Sequence, residues 1–211
     1  MFSEFAKVSS ATWGVIVALL LVGIVVFAVS KDKKRWTARM LANGALCIAL
    51  STVLSFITLY KMPQGGSITL ESMLPMFLFA YAYGVGPGML VGAAYGFVQF
   101  LQGGLYFVHP VELLLDYPLA FAMLGLAGLS NKFSDQWGMI PGIILGTFGR
   151  FVCAFLSGLI FFGMYAPEGQ NVVIYSMVYN GLYLVPEAII CIVLAMIPQI
   201  RQLAKRLALQ D

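Results

Sequence analysis

Val108-His109-Pro110-Val111-Glu112-Leu113-Leu114-Leu115-Asp116-Tyr117-Pro118 decides how this chain is read. It lies between two long apolar segments and carries the only histidine and two of the nine carboxylates. If Val111 to Tyr117 is helical, Glu112 and Asp116 stand four residues apart and share a face. Acidic side chains at the mouth of a membrane helix are costly unless something uses them. Glu112, nearer the start, is expected to remain a solvated charge facing the helix dipole. Asp116 lies one turn deeper and is followed by an aromatic, so it is expected to belong to a polar site.

The segments on either side explain why this is a membrane mouth and not an enzyme loop. Of 211 residues, 61% are hydrophobic and 10% charged, where a soluble domain carries about 25% charged residues. Mean hydropathy is +0.92. Single apolar runs approach about 20 residues, the length of a membrane-crossing helix. Alternating ten-residue strands are absent, which argues against an outer-membrane barrel. The expected class is an all-α integral membrane protein of six or seven spans, with no length left for a soluble catalytic domain. Cys47, Cys153 and Cys191 lie in apolar runs without a CxxC pair, and His109 is alone. The cysteines read as small buried apolar residues, and no metal site is supported.

Ala11 to Val29 forms the first apolar run. It is longer than the apolar core of a usual signal peptide, and Lys31-Asp32-Lys33-Lys34-Arg35 follows it, so it reads as a retained helix. A second span runs from about Trp36 to Tyr60. Its Ala38, Ala42, Ala45 and Ala49, with Gly44 beside them, make a smooth stripe. That stripe serves packing within the bundle or docking to a separate membrane subunit, and the residues leave both open. Lys61 to Ser67 is a turn-rich loop. Further spans are expected at Ile68–Tyr83, Gly88–Leu101, from the opening stretch through Leu129, Gly138–Gly163 and Val173–Pro198, with a tight turn at Gly84–Gly88. With seven spans and the N-terminus outside, nine basic residues lie inside (Lys31, Lys33, Lys34, Arg35, Arg39, Lys132, Arg201, Lys205, Arg206) against Lys7 and Lys61 outside. This obeys the positive-inside rule and sets the C-terminus inside.

That topology gathers Glu71, Asp116, Tyr175 and Asn180 within about 15 Å of the outer surface, counting ~1.5 Å per helical residue. Two carboxylates with tyrosines suit an organic cation. The bland alternative is interface-anchoring tyrosines beside solvated acids. Arg150 and Glu187 fall mid-span, where an unpaired charge costs roughly 3 kcal/mol or more. They are expected to pair as a structural bolt, with a proton path as the alternative. No GxxxxGK[ST] phosphate loop occurs. Ser157-Gly158 has no base at matching depth, so intramembrane catalysis is not supported and no catalytic residue is assigned.

Several dispersed motifs now fall into a familiar order: Met62-Pro63-Gln64-Gly65-Gly66-Ser67, His109 to Tyr117, Ser157-Gly158, Phe161-Phe162-Gly163, Ala166-Pro167-Glu168-Gly169, Tyr175-Ser176 and Tyr179-Asn180. Over about residues 36–200 the chain resembles the thiamin transporter family, the substrate-binding S components of energy-coupling factor (ECF) transporters. The resemblance implies a six-helix S-component domain at 36–211, with residues 1–35 as an additional transmembrane helix and basic cytoplasmic linker. It implies vitamin binding near the outer face of a prokaryotic cell membrane, with no cofactor of its own and no nucleic-acid partner. It implies that Ala45 and Ala49 dock on the ECF transmembrane subunit, while two ATPase subunits use ATP in trans. The family's site acids fall on Glu71 and Asp116. Its tyrosine after the second acid falls on Tyr117, and its last-helix tyrosine and asparagine on Tyr175 and Asn180. Phe162 takes the position of an aromatic that is often tryptophan. Ala154 stands where the family usually has histidine, and Ser67 where some members have tryptophan. The implied ligand is thiamin or a related compound, such as a precursor or another small heteroaromatic vitamin. A self-sufficient proton-coupled carrier using Asp116 or Glu187 is the rival.

Overall fold

The computed structural model describes residues 36–63, 65–103, 109–132 and 137–209. The additional N-terminal span and the Lys31–Arg35 block lie outside the described residues.

Helix α1, Ala38–Phe56, starts where the Thr37 hydroxyl accepts a hydrogen bond from the Met40 amide (3.1 Å). Only Met40, Gly44 and Ser51 on it are buried. Leu41, Leu46, Leu50, Val53 and Phe56 all face outward, and lipid is the medium in which such a face is stable. Ala45 and Ala49 lie on the exposed part of the same helix.

Beyond Ile57 the structure departs from expectation. The second span does not reach Tyr60, and residues 61–67 are more than a loop. Thr58–Lys61 (β1) and Ser67–Thr69 (β2) form a short antiparallel hairpin with a register shift between Thr58 and Tyr60. The Thr-Leu-Tyr-Lys and Ser-Ile-Thr segments suit strands, and Gly65 provides the turn with φ 99°. The next helix, α2, starts only at Leu74 and ends at Tyr83, not at Ile68. At ~1.5 Å per residue it is about 15 Å long, too short to cross a membrane alone. Almost all of it is buried. Gly84, with φ 93°, turns the chain directly into α3, Val85–Gln102, so the expected Gly84–Gly88 turn shrinks to one residue.

Pro110–Lys132 is one helical rod, α4, whose pitch changes along its length. It is α-helical over Pro110–Leu114, π-helical over Leu115–Leu119, α-helical over Ala120–Ala122 and 3-10 over Met123–Lys132. Pro118 explains the widened turn: it has no N–H to donate, and its ring clashes with the carbonyl one turn back. Helix α5 is Met139–Phe161 and α6 is Val172–Ala195. Pro198–Leu209 forms a further helix, α7, where only basic closing residues were expected. It is amphipathic: Ala204 is fully buried, Ile200 and Leu207 pack on the core, and Lys205 and Arg206 are exposed.

Among the described residues four helices are long and apolar enough to cross a membrane: Ala38–Phe56, Pro110–Asn131, Met139–Phe161 and Val172–Ala195. The core that joins them includes Phe77, Phe79, Tyr83, Tyr95, Phe121, Leu124 and Ile143. Glycines let α3 lie directly on α4. A Cβ at Gly96 would sit 2.5 Å from the Tyr117 carbonyl oxygen. Gly96→Val is therefore expected to push Tyr117 and the π-turn aside, at a cost of about 1–3 kcal/mol. Thermal unfolding in detergent checks this against Gly181→Ala, whose added methyl meets nothing within 4 Å and which should melt no lower than the parent.

Candidate functional site

Bends in the chain build the site. The hairpin and helices α1, α3, α4, α5 and α6 together line a cavity of about 720 Å³. Thr58, Lys61, Gly65, Gly66 and Ser67 line it from the hairpin, and Gln99 and Gln102 from α3. Asp116 and Tyr117 enter from the π-turn of α4. A π-turn rotates side chains away from the α-helical register, which explains why these two point inward together.

Asp116 Oδ2 accepts a hydrogen bond from the Ser157 hydroxyl (2.7 Å), which joins α4 to α5 at the cavity wall. Tyr117 packs edge-on against Phe100, with centroids 5.3 Å apart. Ala154 and Gly158 leave the α5 wall open, and Phe162 lies at the end of that helix. From α6 come Tyr175, Tyr179 and Tyr183, one turn apart, with centroid separations of 5.9 and 6.2 Å. Asn180 is buried between them. Its amide donates to the Ala154 carbonyl (3.2 Å) and the Ser176 carbonyl (2.9 Å), and its oxygen accepts from Tyr183 (2.9 Å). Of the six residues expected to bind ligand, Asp116, Tyr117, Phe162, Tyr175 and Asn180 line one cavity.

Glu71 is not brought to that wall. It has φ 63°, a left-handed backbone that non-glycine residues seldom adopt. There the chain swings from β2 into α2 and sends the side chain inward. Glu71 is buried, and neither carboxylate oxygen has a hydrogen-bond partner among the described residues. Its neighbours are Glu187 and Cys191, both on α6. The acids spaced alike in sequence thus serve different places.

Glu112 corrects a second expectation. It is 4% exposed, not solvated. Its carboxylate accepts from the His109 amide (3.4 Å) while His109 Nδ1 accepts from Val111 (3.1 Å), so the two residues cap α4 reciprocally. Phe161 stacks on the His109 ring with centroids 5.2 Å apart. This packing covers the start of α4, and Glu112 faces the cavity instead of the surface.

Arg150 and Glu187 lie 3.6 Å apart, at 14% and 3% side-chain exposure. The guanidinium also stands over the Phe121 ring, 4.3 Å from its centroid. Glu187 Oε1 accepts two further hydrogen bonds from β2, one from the Thr69 amide (2.9 Å) and one from its hydroxyl (2.7 Å). The pair therefore ties α5 and α6 to the root of the hairpin.

Sequence reasoning passed over the hairpin, Glu112, Tyr179 and Tyr183 as cavity residues, and Ser157 as the buried partner of Asp116. The tyrosines at 175, 179 and 183 carry a legible signal, since four-residue spacing aligns them on one helix face. The hairpin carries little, because seven strand residues between apolar helices read as the end of a span.

An apolar helical bundle that holds a polar, aromatic cavity lined in part by a hairpin is the build of a multi-pass membrane protein that handles a small solute. The comparisons with known proteins name the solute carriers it resembles. A family model described as "Thiamine transporter protein" matches residues 41–207, and this chain belongs to that family of membrane transporters, which are not enzymes. It is 36% identical over 160 residues to the thiamine transporter ThiT of Bacillus subtilis, covering 70% of this chain and 83% of the relative. It is 32% identical over 123 residues to ThiT of Lacticaseibacillus paracasei, covering 52% and 61%. The solved structure of ThiT from Listeria monocytogenes matches with a TM-score of 0.66 at 26% identity, over 76% of this chain and 96% of that one.

Proposed function

We propose that this chain is the thiamin-binding S subunit of an ECF-type importer, which takes the vitamin at the hairpin-lined cavity and delivers it inward with ATPase partners. The observation that carries the reading is the Asp116 carboxylate, held by Ser157 in a cavity walled by tyrosines. Thiamin is a cation with two flat rings. A carboxylate complements its charge, and Tyr117, Tyr175 and Phe162 offer aromatic faces to its rings. A volume of about 720 Å³ lies within the ~300–1,000 Å³ span of small-ligand sites. Asn180 supplies polar contact at the α6 wall. Glu71 drops out as a ligand residue and joins the buried interior beside Glu187.

The energy source is external in this reading. The sequence has no phosphate loop, so ATP belongs to two partner ATPases and the chain itself needs no cofactor. Ala45 and Ala49, on the outward side of α1, are the docking positions for the ECF transmembrane subunit, where small side chains permit close helix approach. The positive-inside distribution supports seven spans with the N-terminus outside, residues 1–35 adding one helix to the domain at 36–211.

Calorimetry on the purified protein should detect saturable thiamin binding. Ala49→Trp should keep that binding and abolish uptake in cells, because the ring blocks docking without touching the cavity. An absence of thiamin binding would overturn the ligand. Uptake that persists without the partner subunits and follows the pH gradient would replace the importer with a proton-coupled carrier.

A further inference from the structure

Helix α7 lies at the pole opposite the cavity. The α6 residues of the cavity, Tyr175 to Tyr183, belong to the first half of that helix, and α7 follows its far end after only Met196 and Ile197. Pro198, with no N–H to donate, opens the new helix. The helix packs against α2 and α6, with Ala204 fully buried and Ile200 and Leu207 against the core. The side turned away from the core is mixed in character. Lys205 and Arg206 are exposed, and Arg201 is half-buried one turn before Lys205. Leu203 is 46% exposed, and Met196 and Ile197 at the bend are 44% and 39% exposed. Pro198–Leu209 contains three cations and no carboxylate. Arg201 and Lys205 stand four residues apart on one face, where like charges repel. The carboxylate nearest in sequence among the described residues, Glu187, is buried and engaged by Arg150 and Thr69.

We propose that α7 lies in the headgroup layer of the membrane, where Lys205 and Arg206 bind anionic phospholipid. Exposed apolar side chains beside exposed cations suit the boundary between acyl chains and headgroups, and neither bulk water nor the bilayer core suits both. The bend after a membrane-crossing helix holds α7 at that boundary. A lipid phosphate accepts hydrogen bonds from the lysine ammonium and the arginine guanidinium, with charge on both sides. It also relieves repulsion among cations that no carboxylate of α7 offsets. Basic residues next to a spanning helix attract the anionic lipids of the inner leaflet, and the orientation proposed above puts this pole inside. Because α7 packs on α2, lipid held there braces a helix too short to cross the membrane alone.

Lipid binding at α7 does not depend on what the cavity holds. Thermal unfolding of the full-length protein in detergent tests it, with dioleoylphosphatidylglycerol or dioleoylphosphatidylcholine added. A lipid that binds only the folded state raises the melting temperature, for tenfold excess over its dissociation constant by roughly 3–6 °C in a chain of this size. Phosphatidylglycerol should give that rise and phosphatidylcholine should not. Equal rises with the two lipids overturn the proposal and leave the cations solvated or facing an acidic protein surface. Sodium phosphate at matched ionic strength should not reproduce the effect; an equal rise would make this a site for free anions and overturn the lipid. Lys205→Gln combined with Arg206→Gln should lose the rise specific to phosphatidylglycerol, and Lys205→Arg combined with Arg206→Lys should keep it. A rise that survives the double glutamine variant overturns α7 as the site. The parent protein in about 0.5 M sodium chloride checks the same charges without a substitution, because exposed charges are then screened within a few ångström. The rise should shrink by about half or more there, and an undiminished rise also overturns the proposal.

Discussion

Glu187→Ala is expected to destabilise the folded bundle by about 3–5 kcal/mol, the cost of removing one partner of a buried ion pair. The Arg150 guanidinium would keep the Phe121 ring but lose its carboxylate 3.6 Å away. The Thr69 amide and hydroxyl would lose their shared acceptor on α6, at the root of the hairpin. Thermal unfolding in detergent should show a melting temperature lower by roughly 6–20 °C, taking about 2–4 °C per kcal/mol for a chain of this size. Glu187→Gln should fall between parent and alanine, since it still accepts from Thr69 but carries no charge for Arg150. A shift below about 2 °C for the alanine variant would show that the pair does not hold the hairpin. Ligand binding should weaken as well, because hairpin residues line the cavity.

Asp116→Asn carries the largest expected effect on binding. The substitution keeps shape and polarity and removes only the charge, while the Ser157 hydroxyl can still donate to the amide oxygen. Removing one member of a desolvated charge pair costs about 2–5 kcal/mol, so thiamin affinity should fall by roughly thirtyfold or more. Ser157→Ala should cost far less, since it deletes one hydrogen bond worth about 1 kcal/mol. Titration calorimetry distinguishes the two. An Asp116→Asn affinity within about threefold of the parent would remove this carboxylate from recognition.

Glu71, Glu112 and Asp116 illustrate what could be read from sequence. All three are acids near the ends of apolar stretches, and their spacing alone does not separate them. Asp116 was legible as a site residue because it lies one turn deeper than Glu112 and an aromatic follows it; the widened turn at Pro118 that brings Asp116 and Tyr117 to the cavity was not legible. Glu112 looked like a solvated helix start, yet the stacking of Phe161 on His109 closes that end over it. Glu71 looked equivalent to Asp116. A left-handed residue between β2 and α2 redirects it, and sequence rarely signals such a conformation outside glycine. The hairpin itself was hidden by its own apolar residues, which fit the end of a span equally well.

Composition and the length of its apolar runs determined by themselves that this chain lives in a membrane as helices, because unpaired backbone groups are too costly in lipid for any other build of this pattern. They also determined that charges left within those runs must find partners. Tertiary structure alone decided which partners. Glu187 reaches from α6 to both Arg150 and Thr69, and Asp116 meets Ser157 across two helices. Those contacts depend on a π-turn, a hairpin and the crossing of helices at glycine backbones, and each is set by packing between segments far apart in the chain.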